Sequence, residues 1–581
     1  MSPRKLVAAA LSALLTPGCA HVQAPAPAPA APPEAAAPAV GGPDAPPAPP
    51  PHVPLPVAEP ERLAALSLEM EALLRDQDEL LWKHWTEGRA VEMGRTYEGR
   101  SQLFTADAIQ FLRGQWRSAP EGPARRAIAH LHAHAVGEHL AEKLSDTTDA
   151  LANLHAAARF TFDGKEHHLH DLERLLAREK SAERRQGLFA AAAPAAERIA
   201  GELARKEEQA RALALALGYP DVNALSAELR QASTDSLGAL ARRVLESTDA
   251  AWVMVLDRLA RSQLQCEGKQ VTQADLPRLF GSQALEAQLP KAQLLARLDQ
   301  TLAGLGLRLA SVRALQVDAS ERKGKNARPL SLPAVVPTDV RLSLVPAAGA
   351  PAWARAFHEV GHALHAAHVR NQPFELGKLG NPVPAEATAL LFEGLLQDAT
   401  WLEKVAGVPA ARAAEFAELA RSRKLLELRR SAGKVQLGLA SGAATPVEVR
   451  TAWPRTLGRA LGLGASAQDL AHAALDLEDF LESADHLRAS VLAAQYAQEL
   501  RAHFGVEWWS HAEAGTWLRT GWAHGNALSA GELARAAGAP GLDPAPLLTE
   551  LGAALKVPVD FPAEAPPDLP AAPPWTTGAG R

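Results

Sequence analysis

Apolar residues recur at intervals of three and four along most of this chain, and that rhythm sets its fold class. The rhythm runs through long Ala/Leu/Arg/Glu segments: Leu63 to Trp85, Leu169 to Arg178, Ala192 to Leu217 and Leu237 to Gln263. Each predicts a helix with one face against a core. Strand signals are sparse. Phe160-Thr161-Phe162-Asp163-Gly164-Lys165 reads as a hairpin about an Asp-Gly turn. Val340 to Val345 alternates as a half-buried strand. The pattern leaves open whether that strand is an exposed edge, able to pair with an extended peptide, or purely structural. The expectation is a mainly α domain over residues 61–557.

The ends read differently. Arg4 and Lys5 precede an apolar run, Leu6 to Leu15, that is too short to span a bilayer and reads as an export signal. It closes in Leu15-Thr16-Pro17-Gly18-Cys19, which resembles a bacterial lipoprotein cleavage box, with its leucine four rather than three residues before the cysteine. On that reading residues 1–19 are the signal and Cys19 is the lipid-bearing new N-terminus; ordinary secretion is the alternative. Ala20 carries no aspartate-type retention signal, so the expected address is the outer membrane of the cell envelope. Residues 20–60, rich in Pro and Ala, form a tether, and 558–581 a Pro-rich tail. Cys266 is then the one cysteine left in the domain, so no internal disulfide forms.

Composition adds little about fold but excludes some partners. Hydrophobic residues make up 47% and charged residues 22%, as in ordinary globular proteins. A net charge of -6 gives no reason to expect nucleic acid. Tyrosine is scarce: Tyr97, Tyr219 and Tyr496.

The candidate chemistry lies in Phe357-His358-Glu359-Val360-Gly361-His362-Ala363-Leu364-His365, which contains H-E-x-x-H. Residues four apart share a helix face, so His358 and His362 can offer imidazoles to one metal, with Glu359 beside them. Trp353, Phe357, Val360 and Leu364 supply a stripe at helical spacing. Pro351 suits the first turn, and Asn371-Gln372-Pro373 marks an exit. Two imidazoles with a carboxylate and an open position are a catalytic zinc arrangement. The candidate third ligand is Glu386, on a helix that a Gly/Pro-rich loop can turn back towards the first. Glu393, two helical turns on, either supports a ligand or is a polar position near the site. Two other histidine groups read as non-metal. His130, His132 and His134, with Glu138 and His139, read as surface. His167, His168 and His170 read as solvated residues beside the hairpin.

His358 to His365 together with Glu386 resemble the helical gluzincin peptidases, which include the thimet-type oligopeptidases and the angiotensin-converting enzyme family. Arg205 to Tyr219, Asp339 to Pro346 and Glu513 to Gly552 resemble stretches of the same family, so the likeness covers about 61–557. The resemblance implies a two-lobed helical molecule with a deep channel, one zinc per chain on His358, His362 and Glu386, Glu359 as general base, and short peptides as substrates. It also implies a late helix bearing donors for the developing oxyanion: His486 matches, and Tyr496 follows ten residues on, as donor or as core residue. The tyrosines expected of thimet-type members are replaced by Val491, Gln495 and Gln498. The clamp for a peptide's C-terminal carboxylate in the converting-enzyme family is absent at Ala484 and Ala493. A catalytically impaired binding protein of the same fold is therefore the alternative reading.

Overall fold

The computed structural model describes residues 59–281, 287–442 and 445–561. The signal, nearly all of the tether and most of the tail lie outside the described residues. Among those described, no helix is long and apolar enough to cross a membrane.

The chain is mainly α, as its periodicity predicts. The helices that place the site are α1 (Glu59–Glu87), α2 (Ala106–Ser118), α3 (Pro123–Lys143), α4 (Ala182–Ala216), α5 (Val222–Leu229), α6 (Thr234–Leu259), α7 (Ala350–Ala367), α8 (Val383–Glu393), α9 (Ala410–Ser441), α10 (Glu482–Phe504) and α11 (Ala512–Trp522). Helix α4 starts ahead of the segment read from sequence, because Ser181 caps it by accepting from the Arg184 N–H. Helix α6 ends at Leu259, where one π turn follows. The hairpin pairs β1 (Arg159–Phe162) with β2 (Lys165–His168). Its turn residues, Asp163 at φ 50° and Gly164 at φ 71°, take the left-handed conformations that a two-residue turn of this kind requires.

The second sheet has β3 (Leu315–Asp318), β4 (Leu330–Val335) and β5 (Asp339–Ser343) in the order β3-β5-β4. Here the expectation of a possible edge strand at Val340 to Val345 is corrected. β5 lies in the middle, parallel to β3 and antiparallel to β4, and β4 is an edge strand. Local alternation marks a strand but not its neighbours, and the β3 pairing joins residues 25 apart, Leu315 to Val340.

The main core gathers around α7. Trp353, Phe357, Val360 and Leu364 are all fully buried, packed in one cluster with Val383, Ala387, Leu390 and Phe392 of α8. Full burial of side chains this size contributes roughly 1.5–3 kcal/mol each. The stripe therefore fixes which face of α7 points away from the core, and that face carries His358 and His362. Gly361 sits where α7 meets α8: a Cβ there would lie 2.6 Å from Ala389 Cα. Only glycine permits that approach of two backbones.

Candidate metal centre

Helix α7 places both imidazoles on one face, and the close packing at Gly361 brings α8 alongside. His358 Nε2 and His362 Nε2 are 3.1 Å apart. Glu386 Oε2 lies 3.3 Å from His362 Nε2 and 3.7 Å from His358 Nε2. A tetrahedral ion with bonds of 2.0–2.2 Å needs ligand atoms about 3.3–3.6 Å apart. The separations of 3.1, 3.3 and 3.7 Å lie close to that range, so the three donors can converge on one zinc-sized ion. They are the group of His, Cys, Asp and Glu side chains among the described residues that could hold a metal.

The surrounding groups hold this geometry. His358 Nδ1 lies 2.9 Å from Glu393 Oε2, so the Glu393 carboxylate orients the ring by accepting from it. That makes Glu393 a support of a candidate ligand. Glu386 turns its other oxygen, Oε1, to His486 Nδ1 at 3.3 Å. Glu359 Oε2 accepts from the Ser331 backbone N–H of β4 at 2.7 Å. Its sequence neighbour His358 points to the donor cluster, while Glu359 lies outside that cluster.

Charge also concentrates here. Burial works against a protonated His358, but the carboxylates of Glu386, Glu393 and Glu359 outweigh it and lift the imidazole up to about 10. Burial likewise opposes an ionised Glu386, yet His358, His362 and His486 hold its carboxyl well below the usual range. Protein surrounds these groups, but their side chains stay partly open, His358 at 21% and His486 at 36%. The result is a cluster of partly open side chains whose carboxylates favour a cation.

Tyr496 is buried in the main core, its ring edge-on to Trp517 at 5.7 Å, beside a small cavity lined also by His365 and Thr388. Ten residues along a helix place it about 80° around α10 from His486. A cavity of about 310 Å³, walled by Leu151, Leu172, Phe189, Phe280 and Leu426 among others, includes none of the converging residues.

The α3 histidines are corrected: they are not on the surface. His130 and His132 are buried, as is Glu138. His130 Nδ1 contacts the Glu375 carbonyl at 2.9 Å and so pins the loop between α7 and α8. His132 stacks on Trp116. Its Nδ1 lies 3.2 Å from Glu228 Oε1, out of hydrogen-bond alignment, and the Glu228 carboxylate already accepts from the Tyr219 hydroxyl. Of the hairpin histidines, His170 is exposed and His167 and His168 are half-buried.

Sequence spacing gives no signal for Ser331, Asn381 or Arg230, whereas Gly361, between the two histidines, carries one.

No protein-family model matches the chain, and no curated protein matches it. Among solved structures it is similar to one described as a "putative peptidase from Chlamydophila abortus". The two share 13% identity at a TM-score of 0.62, over 85% of this chain and 89% of that one. The likeness is one of fold.

Proposed function

We propose that the protein is a zinc-dependent peptidase that hydrolyses short peptides. One observation carries the reading: His358 Nε2, His362 Nε2 and Glu386 Oε2 converge at 3.1–3.7 Å, close to the separations a tetrahedral ion requires. The description of the structural neighbour as a peptidase agrees with it. Zinc bound there supplies a polarised water nucleophile near neutral pH and a Lewis acid for the scissile carbonyl.

The chain's own groups do the rest. Glu359 takes the proton of the attacking water and passes it to the leaving amine. The Ser331 N–H fixes one oxygen of that carboxylate and leaves the other for the proton. His486, whose side chain is partly open to solvent, serves as a donor to the oxygen that gains charge. Tyr496, enclosed in the core, takes no part in this reading. Strand β4 is the edge beside α7; with its Ser331 N–H given to Glu359 and its Ala334 carbonyl to Lys378, an extended substrate pairs along what remains of that edge. On this reading the substrates are short, unfolded peptides, as the family resemblance implies, and the segment ending at Cys19 is an export signal that leaves the domain on a lipid anchor at the outer membrane, or free if simply secreted.

The test uses pure protein, metal analysis and mass spectrometry of mixed short peptides with and without a chelator. The expected result is one zinc per chain and chelator-sensitive cleavage. Glu359→Gln should keep the zinc and lose more than about 10³-fold in turnover, since the proton acceptor is gone. Wild-type protein that holds zinc and binds peptides without cutting them would instead establish the impaired binding protein.

A further inference from the structure

We infer that Asn381 and Arg230 are positioning residues that set His486 against Glu386. This rests on the peptidase reading for its catalytic consequence, but its geometry stands apart from it. Glu386 and His486 belong to different helices, α8 and α10, which pack on one another through the main core. That apolar contact leaves the ends of the two helices to be set, and a compact polar network joins the start of α8 to the first turn of α10.

Asn381 lies just ahead of α8. Its Oδ1 accepts from the Val383 N–H at 2.9 Å, so the side chain holds the first turn of the helix that carries Glu386. Its Nδ2 donates to the Arg230 carbonyl at 2.6 Å and to Asp485 Oδ1 at 3.2 Å. Asp485 is the residue before His486. One side chain therefore grips the start of α8 and the first turn of α10 together.

Arg230, at the C-terminal end of α5, holds the same turn from the other side. Its Nη1 donates to Asp485 Oδ2 at 2.5 Å. Its Nε and Nη2 donate to the carbonyls of Phe480 at 2.9 Å and Asp479 at 3.5 Å. Those carbonyls belong to an unusual piece of backbone. Phe480 at φ 51° and Leu481 at φ 59° are two consecutive non-glycine residues in the left-handed region, immediately before α10. Such residues relax unless the surroundings hold them. Arg488 completes the network by donating to the Arg230 carbonyl at 2.8 Å.

Asn381, Asp485, Arg230 and Arg488 are all buried. A buried charged network contributes little stability compared with apolar packing of the same volume, so its effect here is on geometry. Without it, the left-handed pair is free to relax and carry His486 away from Glu386. A displacement of about 1 Å at a reacting site costs on the order of 10²-fold in rate.

The test compares Asn381→Ala and Asp485→Asn with the wild-type full chain. Zinc affinity is read by titrating metal-free protein against a chromophoric chelator, beside kcat, KM and the thermal midpoint. In both variants zinc affinity should fall about tenfold and kcat about 10–100-fold, with KM changed less than about threefold. Asp485→Asn keeps the side-chain volume, so it reports if Asn381→Ala fails to fold. Zinc affinity and kcat within twofold of wild type, with only the midpoint lowered, would overturn the inference. If the wild-type protein binds zinc but cuts no peptide, the peptidase reading fails by itself. The zinc titration then decides the positioning role alone: a tenfold loss supports it and unchanged affinity overturns it.

Discussion

Two groups of histidines are set on helices in the interior of this protein, and the charges around them make them opposites. On α7, His358 and His362 face Glu386, Glu393 and Glu359, and the imidazole of His358 is lifted up to about 10. On α3, His132 is pushed down to about 3 by burial first, and then by the guanidinium groups of Arg113 and Arg117. Imidazole spacing is similar in both, since each group contains an i, i+4 pair. What differs is the sign of the charge that neighbouring helices bring. Carboxylates set against histidines make a cluster suited to a cation. Arginines beside neutral imidazoles make packing material.

The sharpest way to break that contrast is to remove one carboxylate from each group. Glu386→Ala should abolish tight zinc binding and cut peptide hydrolysis by more than about 10³-fold, because a ligand is gone. Glu228→Ala, beside His132, should leave zinc content and kcat unchanged. It should instead cost about 2–4 kcal/mol of stability, since the buried Tyr219 hydroxyl and Arg113 lose their partner. Metal analysis and urea unfolding of both variants read the two effects separately. Loss of zinc from Glu228→Ala would show that the groups are not independent.

Next comes the helix contact that makes the first group possible. Gly361→Ala puts a Cβ 2.6 Å from the Ala389 Cα, so α8 must move and carry Glu386 with it. The expected result is at least a tenfold loss of zinc affinity together with lowered stability of about 1–3 kcal/mol. Wild-type zinc affinity in the Gly361→Ala variant would mean that the helices have room to spare. A smaller effect is expected from Glu393→Gln. The amide still reaches His358 Nδ1 but brings no charge, and the loss in metal affinity should be about 10–100-fold at most.

The candidate donors were legible because each rests on local spacing. His358 and His362 share a face by helical period, and Glu386 follows a loop that turns the chain back. The groups that tune them were not legible. Ser331 acts through its backbone N–H, which no residue type announces. Arg230 reaches Asp485 from 255 residues away. The burial of the α3 histidines is hidden in the sequence for the same reason. Successive His residues on a helix suggest a solvated face, yet α3 is enclosed on several sides by elements that its own sequence does not name, including Trp116 of α2 and Glu375 beyond α7. β5 was visible as a strand but its central place depends on β3. Helix periods belong to a segment, whereas charge environment and sheet order belong to partners far along the chain.

The gentlest probe of the contrast is pH. In the folded protein His132 titrates at about 3, against an ordinary value of 6.5. Below pH 6.5 the unfolded chain takes up a proton that the folded one refuses, so this group subtracts stability as pH falls from about 6.5 towards 3. The slope reaches at most about 1.4 kcal/mol per pH unit. His132→Phe keeps a ring against Trp116 and removes the proton. The stability difference between wild type and variant should therefore be flat above pH 7 and tilt against wild type by about 1 kcal/mol by pH 5.5, on the order of a degree or two in the thermal midpoint. Both proteins should be measured metal-free. His358 is raised, not depressed, so its contribution is full at low pH and fades as pH climbs from 6.5 towards 10, and it cancels between the two chains. Parallel stability curves from pH 8 to pH 5 would mean that His132 takes up its proton in the folded state, which would place a buried cation among arginines and end the distinction between the two groups.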